Sequence, residues 1–127
     1  MAQLPLNKFL TKTQKLTTST TATVYTAPIG TTAIVLMAQV SNLDTATHYV
    51  SFQHYRNRPI LQDAQGNGGQ AGNTYSPLVV YYAIPNNDAG TPLSGKLVIE
   101  ELDKIIAYAD QENSLQLVMS ILQTANQ

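Results

Sequence analysis

Two histidines, His48 and His54, have the widest chemical repertoire in this chain. On one extended strand their spacing puts both on the same face. A zinc site built on them needs further ligands, and the sequence contains no cysteine. Asp44 and Asp63 could join only through the fold, so the pattern reads as two histidines on a surface strand. Carboxylates gather at Glu100, Glu101 and Asp103. Neighbouring strand positions point to opposite faces, so Glu100 and Glu101 do not form an acid/base pair, and solvation at a strand end is the simpler reading. Glycoside hydrolysis needs two facing carboxylates at a set separation. The stretch GNGGQAG lacks the Lys-Ser/Thr of a phosphate cradle and the alternating acids of a calcium loop. HYRNRP, around Arg56 and Arg58, is a small aromatic and basic patch without a companion elsewhere. With no nucleophile and base in any recognisable arrangement, the sequence predicts no catalytic residue, no metal site and no cofactor.

Residues 23–40, TVYTAPIGTTAIVLMAQV, show the elements that must position these side chains. Their β-branched residues favour pleated backbone. Pro28 and Gly30 mark a turn between two strands. Alternation predicts a strand over 33–41, with Ile34, Leu36, Ala38 and Val40 on one face and Val35, Met37 and Gln39 on the other. Further strands are expected over 48–56, with Val50 and Phe52 in the core, and over 78–84. The last third reads as three strands, 96–101, 104–110 and 114–123, the last burying Leu115, Leu117, Met119 and Ile121. A helix over 97–109 is less favoured, because its faces carry no coherent apolar stripe. Residues 62–76, rich in glycine, form the main loop. Short strands with frequent turn signals predict an all-β antiparallel sandwich or jelly roll.

The 127 residues suit one domain. A chain of this size buries roughly 65–70% of its unfolded surface, so it needs no metal or disulfide for stability. Charged residues are only 12% of the sequence and the net charge is −1, against a usual charged fraction of about 25%. That balance argues against nucleic-acid binding through phosphates. The surface is instead drawn from Thr, Gln, Asn and Ser, which repel neighbours weakly and suit a protein that packs against other subunits. No apolar run approaches a membrane span and no targeting signal is visible.

Residues 1–22 read as an extended N-terminal arm and 23–127 as the β domain. Leu4, Leu6, Phe9 and Leu10 are the candidate interaction residues of that arm, too apolar to remain idle in water. A frayed terminus is the alternative.

Two further segments carry a family resemblance. VYTAPIGTTAIVLMAQVSN at 24–42 is followed by THYVSFQHY, and GKLVIEELDKIIAYADQENSLQLVMSILQTA closes the chain. Both resemble structural proteins of tailed-phage virions, and MAQLPLNKFLTKTQ is similar to the start of small cyanophage virion proteins. Those proteins commonly place Pro-Gly before the aspartate at the position of Asp103; here Glu101 and Leu102 precede it. The resemblance implies a non-enzymatic virion protein of β-sandwich type, foremost a capsid decoration or cement protein, made in the host cytoplasm. Its partners would be other virion proteins and further copies of itself, with no nucleic acid and no membrane. A tail, neck or baseplate component and a carbohydrate-binding sandwich are the alternatives.

Overall fold

The computed structural model describes residues 7–56, 74–93 and 95–125. Among them every regular element is a strand: β1 (Asn7–Lys15), β2 (Thr23–Thr26), β3 (Thr31–Asn42), β4 (His48–Arg56), β5 (Thr74–Ile84), β6 (Ala89–Gly90), β7 (Leu97–Ile99), β8 (Lys104–Ala109) and β9 (Leu115–Ala125). They form two antiparallel sheets. In sheet A, β1 pairs β9 and β9 pairs β3, while β6 and β7 lie along the other side of β3; sheet B runs β2-β8-β4-β5.

The inner faces of both sheets enclose one core. Val35, Val40, Leu115, Leu117, Met119 and Ile121 of sheet A meet Val50, Phe52, Ile105 and Ala107 of sheet B, all at most 1% exposed. Period-two alternation therefore located the inner faces of β4 and β9. No helix forms at 97–109. Ile99 ends β7, Glu100–Asp103 turn, and Leu102 takes a positive φ of 67°.

The structure departs from the sequence reading in three places. In β3 the register slips between Val35 and Met37, where Leu36 is an extra residue opposite β9. A bulge of this kind inverts the alternation beyond it. Ala33 and Val35 face inward before it, Ala38 and Val40 after it, so Ile34 and Leu36 do not share the face of Ala38 and Val40 as expected. Second, Asn7–Lys15 is no free arm: it pairs along its whole length with β9 as an edge of sheet A. Thr and Lys alternation with Leu10 suffices for an edge strand once β9 offers an unpaired ladder. Third, Thr74–Ser76, placed in the main loop, begin β5, which pairs β4 to its end. The rest of that loop, from residue 62 to 73, lies outside the described residues.

Both ends of the molecule are pinned at the corners where the chain passes between sheets. At one end Ala27 N–H donates to Asp103 and Leu102 N–H to Ala27. At the other, Leu43 N–H donates to Ser114 and Leu16 N–H to Leu115. Gly30, at φ 75°, sits in the predicted turn after Pro28.

Candidate interaction surfaces

The predicted arm residues separate. Leu4 and Leu6 lie outside the described residues. Phe9 and Leu10 are adjacent on β1 and therefore point to opposite faces. Leu10 packs against the core, whereas Phe9 is 72% exposed on the outer face of sheet A.

Phe9 is one end of a cross-strand row. It stands opposite Leu122 of β9, Leu122 opposite Ile34 of β3, and Ile34 opposite Val98 of β7. Four apolar side chains thus cross sheet A side by side, over about 14 Å at the usual strand spacing. Val98 is 54% exposed; Ile34 and Leu122 are half-buried by their neighbours. The next rows on this face are Thr11, Ser120 and Met37, then Thr13, Val118 and Gln39, then Lys15, Gln116 and Ser41. Sequence reasoning reached Phe9 through its apolarity. It missed Leu122, Ile34 and Val98, because their adjacency depends on long-range register and on the β3 bulge.

Both histidines lie on the face of β4 that carries Val50 and Phe52, so the strand that holds them is part of the core and not a surface strand. His48 is 5% exposed. Its Nε2 lies 2.8 Å from Asp44 Oδ2 and its Nδ1 3.0 Å from Asp110 Oδ1. The hydrogen bond to Asp44 raises the His48 pKa above its ordinary value; burial opposes it, and Asp110 adds to it. The same bond lowers the pKa of Asp44. The carboxylates occupy opposite sides of one ring, so the three groups satisfy each other and do not converge on an ion. Among the described residues no cluster suits a metal. Asp110 also accepts from Tyr49 N–H, and buried Asn42 bridges the same corner. Asn42 Nδ2 donates to the carbonyls of Ala46 and Ile84, and its Oδ1 accepts from Asp44 N–H, each at 2.8 Å. This network fastens the β3–β4 corner to β5 and to the start of the β8–β9 corner.

The carboxylate group also differs from expectation. Glu100 and Glu101 stand at a turn, not on a strand. Asp103 is buried, its Oδ2 3.4 Å from His54 Nε2. Arg56 ends β4 exposed, and Arg58 lies outside the described residues. Beside Arg56, Tyr55 meets Tyr75 edge to face with ring centroids 4.5 Å apart, and Lys104 Nζ lies 5.4 Å from the Tyr55 centroid. All seven tyrosines of the chain belong to strands of sheet B. A recess of about 240 Å³ lies between Leu78, Val79, Pro92, Leu93 and Leu97. It is smaller than the 300–1,000 Å³ usual for a ligand pocket, roughly stated.

No protein-family model matches the chain, and no curated protein matches it. Among solved structures, a chain of the T13 IBDV viral particle aligns with 96% of this chain and 32% of its own length, at 12% identity and a TM-score of 0.30. At that TM-score the alignment carries no argument about fold or role.

Proposed function

We propose that this chain is a non-enzymatic structural protein of a bacteriophage virion, a β-sandwich that decorates the capsid by docking the outer face of sheet A on neighbouring subunits. The row Phe9–Leu122–Ile34–Val98 carries this reading. An apolar stripe flanked by Thr11, Ser120, Thr13 and Gln39, with Met37 and Val118 among them, has the make-up of an interface centre and its rim. Burying an exposed side chain of this kind stabilises a contact by about 1.5–3 kcal/mol before association costs. Because β1 is already ordered on β9, docking Phe9 requires no further ordering of its backbone. The resemblance of segments 24–42 and 95–125 to tailed-phage virion proteins supports the setting. A tail, neck or baseplate position uses the same face on a different neighbour.

The test is occupancy on purified particles, with labelling to locate the protein. Phe9→Lys and Val98→Asp should lower occupancy while leaving thermal unfolding of the free domain nearly unchanged. Full occupancy of both variants would refute docking through this face.

The tyrosine content of sheet B favours one second reading, a carbohydrate-binding sandwich. Tyr75 is 52% exposed beside Tyr55 and Lys104, an arrangement able to stack on a sugar ring. Binding to a glycan panel that Tyr75→Ala abolishes would establish it over the first.

A further inference from the structure

The edges of the two sheets are unequal. β2, β6 and β7 are short, at four, two and three residues. β5 is long, but its register against β4 breaks between Val50 and Phe52 and again between Phe52 and Gln53. It also contains Pro77, and Tyr81 adopts a positive φ of 53° with its N–H turned to Ser51 Oγ. Short length, bulges and proline are the usual devices that stop an edge from pairing with another chain. β1 has none of them. Its nine residues pair with β9 in unbroken register, and among the described residues its other edge is unpaired.

The direction of the free groups follows from one hydrogen bond. Leu16 N–H donates to Leu115 carbonyl at 2.9 Å, in register with the ladder. In an antiparallel ladder such bonds alternate. The N–H and C=O of even-numbered residues therefore point to β9, and those of Asn7, Phe9, Thr11, Thr13 and Lys15 point to the open edge.

The occupant is selected by the lysines. An antiparallel pair of identical strands is related by a two-fold axis perpendicular to the sheet, so odd residues meet odd and even meet even. With the axis at Thr11 the whole strand pairs: Asn7 faces Lys15, Lys8 faces Gln14, Phe9 faces Thr13, Leu10 faces Lys12, and Thr11 faces Thr11. No lysine meets a lysine. A shift to an axis at Leu10 sets Lys8 against Lys12, and a shift to Lys12 sets Lys12 against itself. Like charges directly opposite destabilise a strand pair. Lysines on an edge ordinarily discourage pairing; here their spacing leaves the full-length register free of repulsion and penalises its neighbours.

We infer that two copies of this chain associate through β1, antiparallel about Thr11, joining two copies of sheet A into one continuous sheet. The two-fold axis keeps both outer faces on the same side, so the apolar rows of the two copies face one neighbour together. The inference deepens the assembly role proposed above, but pairing is read in the free protein. A monomeric protein that still occupies particles would refute the edge and leave the role standing. A dimer that fails to occupy particles would do the reverse.

Sedimentation equilibrium of the full chain over a range of concentrations tests it. The wild type should show a reversible monomer–dimer equilibrium. Thr11→Pro removes no hydrogen bond within the chain, because its N–H faces the open edge. It should weaken dimerisation by at least about tenfold, since it removes the central hydrogen bonds. Gln14→Glu, placed opposite Lys8, should tighten the dimer, and Gln14→Lys should weaken it. These two variants decide the question if Thr11→Pro fails to fold. A wild type that stays monomeric up to its solubility limit overturns the inference, as does a folded Thr11→Pro that associates like wild type. Gln14 variants that shift together in one direction refute the register.

Discussion

Asn42 should be the polar side chain whose replacement costs the domain most. It is 4% exposed, and all three of its hydrogen bonds go to backbone groups of other residues: the carbonyls of Ala46 and Ile84 and the amide of Asp44. Asn42→Ala strands these groups. Ile84 is fully buried, so its carbonyl gains no water in compensation; the other two are partly exposed and recover some. A stranded buried polar group costs about 1–3 kcal/mol and a wetted one less, which gives a loss of about 2–4 kcal/mol. For a domain of this size a loss of about 3 kcal/mol lowers the unfolding midpoint by roughly 10 °C. Asn42→Asp separates donor loss from cavity formation. It keeps the shape and the acceptor for Asp44 N–H but turns a carboxylate oxygen toward two carbonyls. Burial and those carbonyls raise the folded pKa of the new acid above its unfolded value of about 3.9. The folded state then holds its proton more tightly, so the deficit against wild type is smallest below that pH and grows as pH rises through the raised pKa. Urea unfolding at pH 4 and pH 7 measures both. An Asn42→Asp protein equal to wild type at both values would show that the amide donors do not hold this corner.

His48 adds its own pH dependence. Its folded pKa is raised above 6.5, so the stability it contributes is fully present below that value and declines as pH rises through the folded pKa. Asp44, lowered from 3.8, contributes above that value and loses its contribution as pH falls through the folded pKa. Thermal midpoints of wild type should therefore drop more than those of His48→Gln as pH rises from 6.5 through the folded pKa, and parallel curves would contradict the pairing. Phe52→Ala and Leu117→Ala should each cost about 2–5 kcal/mol by denaturant unfolding; losses under about 0.5 kcal/mol in both would mean that neither side chain fills the core. Deleting residues 1–15 should lower stability sharply, since it strips β1 from β9 and removes Leu10 from the core. A truncated protein with an unchanged midpoint would restore the free-arm reading of residues 1–22.

What the sequence made legible was local. β4 appears with the bounds its alternation gave, and Val50, Phe52, Leu115, Leu117, Met119 and Ile121 are buried as that period requires. Turns fell where Pro, Gly and Asn allowed them, and Asn87 and Asn113 take positive φ at two of them. What failed was non-local. Leu36 looks like any other apolar strand residue, yet it is the bulge that inverts the face of Ile34 relative to Val40. Asn7–Lys15 lacks a strong strand pattern because an edge strand buries little; its partner β9 lies more than a hundred residues away. His48 looked like a surface residue because its two carboxylates come from different corners. Of the predicted interaction residues, Phe9 is exposed on the outer face of sheet A, Leu10 belongs to the core, and Leu4 and Leu6 are outside the described residues.

The low charge of the chain gains a structural meaning from these placements. A free monomer with 12% charged residues has little repulsion to keep copies apart, and it carries an exposed apolar row beside an unprotected nine-residue edge. Either feature alone promotes association. Their positions are related: Phe9 is the outermost member of the row and also belongs to the open edge. Edge pairing about Thr11 sets Phe9 beside Thr13 of the other copy, so it brings the two apolar rows onto one face and leaves both uncovered. A second, different contact remains to cover it. A lattice of neighbouring subunits meets both needs at once, whereas a closed dimer meets only the first. The proposed particle role and the proposed edge therefore make separate demands on the same strand. Phe9→Lys should affect particle occupancy far more than dimerisation, and Thr11→Pro the reverse.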